Sequence, residues 1–479
     1  MARQDEVRKI INCSRLEGEV SPPGDKSISH RAAILNSLAD GEAEIGNYSP
    51  GRDCLATVNC LRALGIKIRR FPRHYEPFAS CHSEEAKRPK NLLFTSLRAS
   101  AHQDRLREAT SLSVSGSGLK EAENVLNAEN SATTMRLLAG LLSSQPFLSV
   151  ITGDASLRSR PMGRLIEPLR LMDAKIWGRA GDSLAPLVIK GGELQGIDYE
   201  LPVPSAQLKS AILLAGLFAQ SNTMLHQPVP SRDHTERMLK QMGANIESQE
   251  NSISLTPLTR PLFPLSIHVP GDISSAAYLL VAGAIHPSAR IVIRDCGINP
   301  TRTGIIDILV AMGAKIKVEN ERWEAGEPLA GIVVQSSELK GIEIGGENIP
   351  RLIDEIPVLA VAGCVARGKT VIRDARELRV KDSDRIATIC QELSKLGAEI
   401  EELPDGMIIH GGKPLTGAEV NSHGDHRLAM SLAIAGQIAK GETTINQSQV
   451  VGISYRSFWQ DLSSLRAEGE AISGRTFDF

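Results

Sequence analysis

A short pattern that ends a helix and starts a strand recurs along this chain. In the stretch 61–68 (LRALGIKI), apolar residues close a helix, a glycine follows, and a β-branched segment comes next. Glycine readily adopts the left-handed conformation that stops a helix, so the pattern predicts a helix, a tight stop and a strand. Copies begin at residues 169, 239, 309 and 393, and a worn copy spans 462–472. In the copy at 169, Asp173 stands in place of the glycine.

A second pattern occurs once in each repeated unit. A polar turn leads into an apolar helix rich in leucine and alanine, and a strand rich in β-branched residues follows. The copies span 25–45, 130–151, 205–225, 271–293, 354–372 and 425–445. Stretches such as 211–217 (AILLAGL) are apolar on nearly every side. Such helices must be buried, which predicts an α/β fold of six related modules with these helices inside and the sheets and amphipathic helices outside.

The six modules fall into two groups of three. Between the third and fourth modules, the stretch 256–264 holds three prolines, too many for a helix or a central strand. We therefore predict a domain boundary there. The first three-repeat domain is expected to span 22–266, and 1–21 together with 267–479 are expected to form the second.

One segment interrupts the rhythm of the modules. Where a short hairpin is expected to join two strands, residues 69–110 hold several prolines, three histidines and many basic residues without clear periodicity. A stretch of this length without regular structure is typically functional or disordered. We predict a disordered surface insertion, and the alternative is an arm that binds RNA or a partner protein.

The composition limits the classes of function. Of 479 residues, 42% are hydrophobic and 23% are charged, and the formal net charge is −2. A near-neutral chain is a poor general binder of nucleic acid or acidic membranes, and 4% aromatic residues leave little material for stacking bases. We therefore expect no nucleic-acid partner and no membrane partner, and any anion site has to be built locally.

The cysteines and the N-terminal stretch indicate a cytoplasmic protein. The N-terminal stretch lacks an apolar secretory core, and no apolar run is long enough to span a bilayer. The seven cysteines are scattered without a Cys-x-x-Cys pair, which suits reduced, buried thiols. His423 and His426 lie three residues apart but lack a matching set of acidic or thiol partners, so we predict no structural metal.

The candidate chemistry begins in the stretch 23–31 (PGDKSISHR). Proline and glycine end a strand, Asp25 or Ser27 can cap the helix that follows, and the free N–H groups of its first turn attract anions. Lys26 and Arg31 add full positive charges. The glycine spacing differs from that of a P-loop or a dinucleotide fingerprint. The stretch indicates a phosphate or carboxylate site, and the alternative is a capped helix with two solvated basic residues.

The other polar turns carry charges at the matching place. Like helix ends face the same way in a pseudo-threefold domain, so two opposed faces would form a cleft rich in positive helix ends and arginines. The polar residues offered there include Asn130, Arg136, Arg160, Ser205, Gln207, Arg232, Arg385 and Arg427. Many arginines beside few carboxylates predict ligands with several phosphate or carboxylate groups. Asp354 and Asp382 are the acids we expect to transfer protons, since nearby arginines keep a carboxylate ionised.

These motifs resemble those of the 5-enolpyruvylshikimate-3-phosphate synthases, a family of enolpyruvyl transferases. The resemblance covers almost the whole chain except the insertion, and it is carried by PGDKSISHR (23–31), NSATTMR (130–136), RPMGR (160–164), RDHTE (232–236), IDEIP (353–357) and DHR (425–427). It implies two domains, each of three βαβαββ units with helices inside. It also implies that the 5-hydroxyl of shikimate 3-phosphate attacks C2 of phosphoenolpyruvate, forming a tetrahedral intermediate that loses phosphate.

Matched motif by motif, the resemblance implies roles for individual residues. Lys26, Asp354 and Asp382 are implied to act in catalysis, with Lys26 in contact with phosphoenolpyruvate and Asp354 as the base. The residues implied to hold shikimate 3-phosphate are Ser27, Arg31, Ser205, Arg232 and Lys381. Those implied to surround phosphoenolpyruvate are Arg160, Gln207, Arg385 and Arg427, and Asn130 is a further substrate-binding residue. The reaction requires no metal or organic cofactor, and we expect a monomer.

The chain departs from the family pattern at three positions. Asp382 stands where the family normally has glutamate, so its carboxylate is expected to stop about 1 Å short, which would reduce activity. Glu129 replaces a glycine before Asn130 and places a carboxylate near an anion site, where like charges repel. Ala132 replaces the glycine of many members, and its methyl group resembles that of members that exclude the herbicide glyphosate. We predict insensitivity to glyphosate.

Two other functions compete with this interpretation. UDP-N-acetylglucosamine enolpyruvyl transferase shares the implied fold, but that family has Lys-Asn in place of Lys26 and Ser27 and usually a cysteine on a loop. The second is a catalytically weakened homologue that binds ligand without turnover, suggested by Asp382, Glu129 and the insertion. Ligand affinity without phosphate release would distinguish it.

Overall fold

The computed structural model describes residues 6–72, 110–116, 118–467, 470 and 472–474. The predicted disordered insertion lies outside these residues except at its two ends. Those ends belong to strands, because Lys67–Pro72 pairs antiparallel with Thr110–Gly116. The prediction that the insertion interrupts a hairpin is therefore confirmed, although both strands extend further into it than predicted.

Helices and short strands are interspersed along the described ranges. The strands are β1 (Arg8–Ile11), β2 (Leu16–Val20), β3 (Gly41–Tyr48), β4 (Lys67–Pro72), β5 (Thr110–Gly116), β6 (Leu126–Asn127), β7 (Leu148–Thr152), β8 (Lys175–Gly178), β9 (Leu184–Lys190), β10 (Asp198–Glu200), β11 (Thr223–His226), β12 (Ile246–Gln249), β13 (Ser252–Leu255), β14 (Ile267–His268), β15 (Ala289–Gly297), β16 (Lys315–Glu324), β17 (Glu327–Gln335), β18 (Glu343–Ile344), β19 (Lys369–Ile372), β20 (Glu399–Leu403), β21 (Gly406–His410), β22 (Glu419–Asn421), β23 (Glu442–Asn446) and β24 (Ser473–Gly474).

The helices, in the same order, are α1 (Lys26–Asn36), α2 (Arg52–Ala63), α3 (Ala132–Leu142), α4 (Ala155–Ser159), α5 (Gly163–Leu171), α6 (Arg179–Asp182), α7 (Ala206–Gly216), α8 (His234–Gln241), α9 (Ile273–Ile285), α10 (Gly304–Ala311), α11 (Asn348–Leu352), α12 (Ile356–Val365), α13 (Arg385–Lys395), α14 (His426–Gly436) and α15 (Phe458–Ser464). Two 3-10 helices span Arg376–Val380 and Ser448–Ile453.

The strands form six four-stranded sheets that share one topology. The strand orders are β14-β3-β5-β4, β6-β7-β9-β8, β10-β11-β13-β12, β2-β15-β17-β16, β18-β19-β21-β20 and β22-β23-β1-β24. In each sheet the first pair of strands is parallel and the other two pairs are antiparallel. The prediction of six related α/β modules is confirmed.

The recurring stop between helix and strand works as predicted. Gly65 and Gly397 take left-handed backbone conformations, with φ of 87° and 86°. Asp173, the exception in the sequence pattern, takes the same conformation with φ of 67°. Aspartate tolerates this region better than most residues because its short polar side chain can bond locally. The module therefore keeps its geometry without the glycine.

The apolar helices lie inside, as predicted. α9, α12 and α14 contact one another, and α3 contacts both α1 and α7. Every residue of α14 is buried. Gly140 on α3 allows the close approach to α7, because a Cβ there would lie 2.1 Å from the carbonyl oxygen of Ala211. Although these helices are apolar, none in the described part of the chain combines the length and hydropathy needed to cross a membrane.

Two separate hydrophobic cores divide the molecule. One contains buried residues from Ile28 to Val269, and the other joins the N-terminal strands to residues from Ile273 to Leu465. Ile267 belongs to the first core, and β14 completes the sheet of β3. We therefore propose that the chain crosses to the second domain after Val269, a few residues later than the boundary at 266. Below, the first and second halves are the parts built around these two cores.

The two crossings between the halves run side by side and are tied together. The amide of Asp25 donates to the carbonyl of Pro270 at 2.8 Å, and the amide of Asp272 donates to Pro23 at 2.8 Å. Arg302, only 3% exposed, binds Asp25 at 2.8 Å and Asp272 at 3.1 Å. The guanidinium pairs with both buried carboxylates, so the two crossings are fixed to each other.

A buried ion pair inside the first half gives a stability prediction. The ammonium of Lys209, fully buried on α7, lies 2.6 Å from the carboxylate of Glu236 on α8 and donates to Ser231. We expect Lys209→Met to lower the free energy of unfolding by about 3 kcal/mol, because it leaves a buried carboxylate without its counter-charge. Urea unfolding measures this change. The exposed Lys413→Met is the control, and a loss below about 1 kcal/mol for Lys209→Met would refute the argument.

Candidate active site

Polar residues from both halves meet in the cleft between the two cores. Arg160 and Arg232 of the first half bind Asp382 and Asp354 of the second, at 2.6 and 2.7 Å. The sequence suggested many arginines beside few carboxylates, and this was wrong: the structure pairs the arginines directly with carboxylates. The fold brings these carboxylates to the arginines, because acids that are distant in sequence converge at the same helix ends.

Asp354 lies at the centre of an arginine cluster. Its carboxylate is 2.7 Å from Arg232, 3.3 Å from Arg385 and 3.6 Å from Arg427. Burial alone would raise the pKa of Asp354, but the cationic neighbours, Arg427 and Arg232 foremost, hold it well below its usual value. The carboxylate is therefore ionised at neutral pH and able to accept a proton.

Asp382 reaches three partners despite its short side chain. Besides Arg160 at 2.6 Å, it lies 3.3 Å from Arg385 and 3.3 Å from Nδ1 of His426. Burial acts to raise the pKa of Asp382, but the neighbouring His426 and the charge of Arg385 outweigh it, so the pKa lies well below its usual value. The shorter acid is thus anchored in the cleft as an ionised group.

Lys26 is paired with an acid that sequence reasoning missed. Its ammonium, on the first residue of α1, lies 3.0 Å from the carboxylate of Asp53 in the first turn of α2. Burial disfavours the charged ammonium, but Asp53 outweighs burial and raises the pKa of Lys26. Lys26 is a cation at neutral pH. An acid in the first turn of the next helix was a visible signal, but no spacing rule linked it to Lys26.

Arg31 faces protein groups more than open space. Nε donates to Thr235 at 2.7 Å, and the terminal nitrogens donate to Ser210 at 2.8 Å and to the carbonyl of Ser27 at 3.0 Å. Burial lowers the pKa of Arg31 to about 10. These bonds, with a longer one to Ala206, leave one guanidinium N–H for a ligand. Arg31 therefore supplies mainly a fixed positive charge.

The remaining predicted ligands form two groups. Asn130 accepts from Arg160 at 2.7 Å. Gln207 of α7 accepts from Arg136 at 2.5 Å and donates to Thr133 at 2.8 Å, so two residues of α3 hold its amide in place. Arg136 was grouped with the cleft residues from its motif but given no role, and the structure assigns it the orientation of Gln207.

Ser205 and Glu129 lie at the N-terminal ends of α7 and α3, and their side chains are placed differently. Ser205 caps α7, and its hydroxyl oxygen accepts from the amide of Leu208 at 3.4 Å, which leaves its O–H free to donate. Glu129 is exposed and has a left-handed φ of 50°, a conformation that suits glycine. Within the described ranges its carboxylate forms no ion pair or hydrogen bond.

One group of side chains has the composition of a metal site. Asp382, Asp425 and His426 bring their ligand atoms within 4.8 Å of one another. Arg385 donates to both carboxylates, at 3.3 and 2.7 Å. A guanidinium already supplies the positive charge there, so the arrangement favours arginine over a metal ion. His423 lies apart from this group, 2.8 Å from Glu392.

Lys381 gives a pH prediction. Its ammonium makes no hydrogen bond or ion pair with any part of the chain that the structure describes. Burial lowers its pKa below the usual 10.5, although Asp354 opposes this. A lysine loses its charge above its pKa and then no longer attracts an anion. We therefore expect kcat/KM for an anionic substrate bound by Lys381 to fall as pH rises through a value below 10.5. In Lys381→Arg the side chain stays charged, and the alkaline fall should move upward in pH. An unchanged alkaline limb would contradict this assignment.

The fold and the cleft together define a class of protein. Two halves of three modules each, with buried helices whose first turns carry arginine, lysine and carboxylate into one cleft, form an enzyme-like site for small ligands bearing several negative charges.

Comparisons with known proteins identify the family within this class. A sequence model described as EPSP synthase (3-phosphoshikimate 1-carboxyvinyltransferase) matches residues 10–91 and 88–462. The 3-phosphoshikimate 1-carboxyvinyltransferase of Herpetosiphon aurantiacus is 49% identical over 459 residues, covering 95% of this chain and 99% of that protein. The enzyme of the same name from Desulforudis audaxviator is 50% identical over 463 residues, covering 96% and 99%.

A solved structure agrees with these relatives. The EPSP synthase of Acinetobacter baumannii superimposes with a TM-score of 0.81 at 38% identity, covering 99% of this chain and all of that one. The chain belongs to the EPSP synthase family. The resemblance predicted from the motifs is confirmed, and so is the two-domain α/β fold with helices inside.

Proposed function

We propose that this protein transfers the enolpyruvyl group of phosphoenolpyruvate to the 5-hydroxyl of shikimate 3-phosphate and releases phosphate. The observation that carries the proposal is the cleft, where Arg160, Arg232, Arg385 and Arg427 each lie within 4 Å of Asp354 or Asp382. Two anionic substrates repel each other in water, and a cationic, preorganised cleft removes that repulsion.

The two substrates are assigned to different sets of residues, and each set draws on both halves. The phosphate of shikimate 3-phosphate fits the O–H of Ser205 and the fork of Arg232, with Arg31 supplying charge behind them. Ser27 and Lys381 then reach the ring. Phosphoenolpyruvate lies nearer the other arginines, and the residues assigned to it are Lys26, Asn130, Arg160, Gln207, Arg385 and Arg427.

Substrate binding would also make Asp354 a stronger base. Arg232 lies 2.7 Å from Asp354. A substrate phosphate competes for the same guanidinium, and loss of that cationic neighbour raises the pKa of Asp354. The carboxylate then takes the proton of the 5-hydroxyl while the oxygen attacks C2 of phosphoenolpyruvate. Binding thus prepares the base.

Two further proton transfers complete the reaction. Attack at C2 requires a proton to be added at C3, and expulsion of phosphate requires a proton to be removed from C3. Lys26 is protonated and Asp382 is ionised in the cleft, so they can supply the acid and the base. The side chain of Asp382 was predicted to be too short by about 1 Å. Its contact with Arg160 at 2.6 Å partly offsets the missing methylene group.

Phosphate release tests the proposal. On mixing with both substrates, we expect the protein to release phosphate, with Asp382→Glu measured beside it. Release by the unaltered protein establishes the transferase and shows that the shorter acid suffices. Release by the variant alone would place a defect at residue 382. If neither protein releases phosphate, the proposal is overturned in favour of a protein that binds ligand without turnover.

Ala132 supports insensitivity to glyphosate. It is the first residue of α3, between Asn130 and Thr133, which contact the assigned phosphoenolpyruvate ligands Arg160 and Gln207. A methyl group at this point narrows that subsite. We expect Ala132→Gly to increase inhibition by glyphosate at least tenfold, and potent competition with phosphoenolpyruvate in the unaltered protein would contradict the proposal.

The proposal also covers location and assembly. The described cysteines are all free and buried, which suits a reducing compartment, and we propose the cytoplasm. The cleft is completed within one chain, which supports a monomer. Sedimentation velocity at working concentration tests the assembly state.

A further inference from the structure

A second ion pair crosses the cleft beside the site. Arg164, on α5 of the first half, grips Glu377 of the second half with two hydrogen bonds, at 2.8 and 3.3 Å. The pair is partly exposed, with the two side chains 24% and 40% accessible. Neither residue carries a role in the proposed reaction. A two-pronged contact between halves nevertheless has the geometry that makes guanidinium pairs specific.

Glu377 belongs to a rigid turn that also carries assigned site residues. It lies in the 3-10 helix Arg376–Val380, directly before Lys381 and Asp382. Leu378 buries its side chain in the second core. Arg379 fastens the turn from the other side, with Asp384 at 2.9 Å and Glu402 at 2.6 Å. Because these contacts hold the turn together, any displacement of Glu377 also displaces the rest of the turn.

Arg164 is equally well anchored on its own side. The next residues of α5, Leu165 and Ile166, are buried in the first core. Arg160 lies four residues earlier and holds Asp382 at 2.6 Å. The same short segment of the first half thus binds the same short turn of the second half at two points, and only the Arg160 point is in the proposed phosphoenolpyruvate subsite.

We propose that the Arg164–Glu377 pair is a latch, and that both are positioning residues that hold the turn carrying Lys381 and Asp382 against the first half when the cleft is closed. Closure of the cleft assembles groups from both halves around the substrates, so an interaction formed only on closure strengthens substrate binding. The kinetic consequence rests on the proposed function, whereas the effect on closure does not.

Glu377→Gln distinguishes the latch from a simple effect of charge, because the two predict opposite changes in substrate binding. Glu377 sits among cations, with the charges of Arg164, Lys381 and Arg136 all acting on it. Removing a negative charge beside an anion site should, by charge alone, tighten the binding of anionic substrates. The latch predicts the opposite: KM for phosphoenolpyruvate rises about fivefold while kcat changes less than twofold.

A double-mutant cycle gives the sharper test. Arg164→Gln should raise the same KM about fivefold, and the double variant should match either single variant within twofold, because one interaction is lost in all three. Asp307→Asn is the matched control. It breaks the Arg351–Asp307 pair, a 2.6 Å contact of similar exposure that stays within the second half, and should change nothing.

Small-angle X-ray scattering of the ligand-free protein tests the latch without turnover. Both single variants should show a larger radius of gyration than the unaltered protein and Asp307→Asn, at unchanged melting temperature. An unchanged radius, an unchanged KM, or additive effects of about 25-fold in the double variant would each overturn the latch. If the unaltered protein releases no phosphate, the proposed function fails, and the scattering result still decides the latch.

Discussion

Replacing Asp354 by asparagine is expected to lower kcat about 10³-fold while substrate binding persists. Asparagine keeps the size and one carbonyl oxygen of the side chain, so the contacts with Arg232 and Arg385 are retained in part. It cannot accept the proton of the 5-hydroxyl. The loss should therefore appear in kcat more than in KM, because the missing interaction is made in the transition state.

Steady-state phosphate release, with calorimetric binding of shikimate 3-phosphate, measures both parts of this prediction. Asp307→Asn provides the matched control, since it makes the same chemical change at the Arg351–Asp307 pair, which lies within the second half. A fall in kcat of less than tenfold for Asp354→Asn would show that another group is the base. Complete loss of binding would show that Asp354 acts mainly by arranging its arginines.

Replacing Lys26 by methionine is expected to lower kcat/KM for phosphoenolpyruvate about 10³-fold. The substitution removes a cation from the start of α1 and leaves Asp53 without its partner at 3.0 Å. Two effects add: an anionic substrate loses its counter-charge, and an unpaired carboxylate now faces that substrate. Both KM and kcat should worsen, unlike the case of Asp354.

Lys26→Met/Asp53→Asn separates these two effects. Removing the unpaired charge should recover part of KM but little of kcat, because the proton carrier is still absent. Lys317→Met, at an exposed lysine paired with Glu319, is the control and should behave as the unaltered protein. A single Lys26→Met variant within threefold of the unaltered protein would remove Lys26 from the mechanism.

The repeating fold was predictable because the sequence of each module contains local signals for its helices, stops and strands. The stop at Gly65 follows from the conformational freedom of glycine, and the burial of helix α14 follows from the absence of a polar face. Such signals act over a few residues, so a single sequence contains them. The strand β14 was harder to place, because its two residues pair with β3 of the same half, far earlier in the chain, and carry no local mark of that partner.

The motifs indicated which residues lie between the two cores, but not which of them pair with one another. The motifs brought Arg160 and Asp382 to attention separately, 222 residues apart in the chain. Their contact at 2.6 Å depends on how two cores are set against each other. The pair of Arg164 and Glu377 escaped notice for the same reason. Long-range ion pairs are decided by tertiary packing, which no local pattern encodes.

Mass spectrometry of the product tests the central claim most directly. The protein is mixed with shikimate 3-phosphate and phosphoenolpyruvate, and both the organic product and free phosphate are quantified. We predict an enolpyruvyl ether at the 5-position of shikimate 3-phosphate, formed in equal amount with phosphate. Phosphate released without that ether, or substrates recovered unchanged, would contradict the assignment of this cleft as the site of enolpyruvyl transfer.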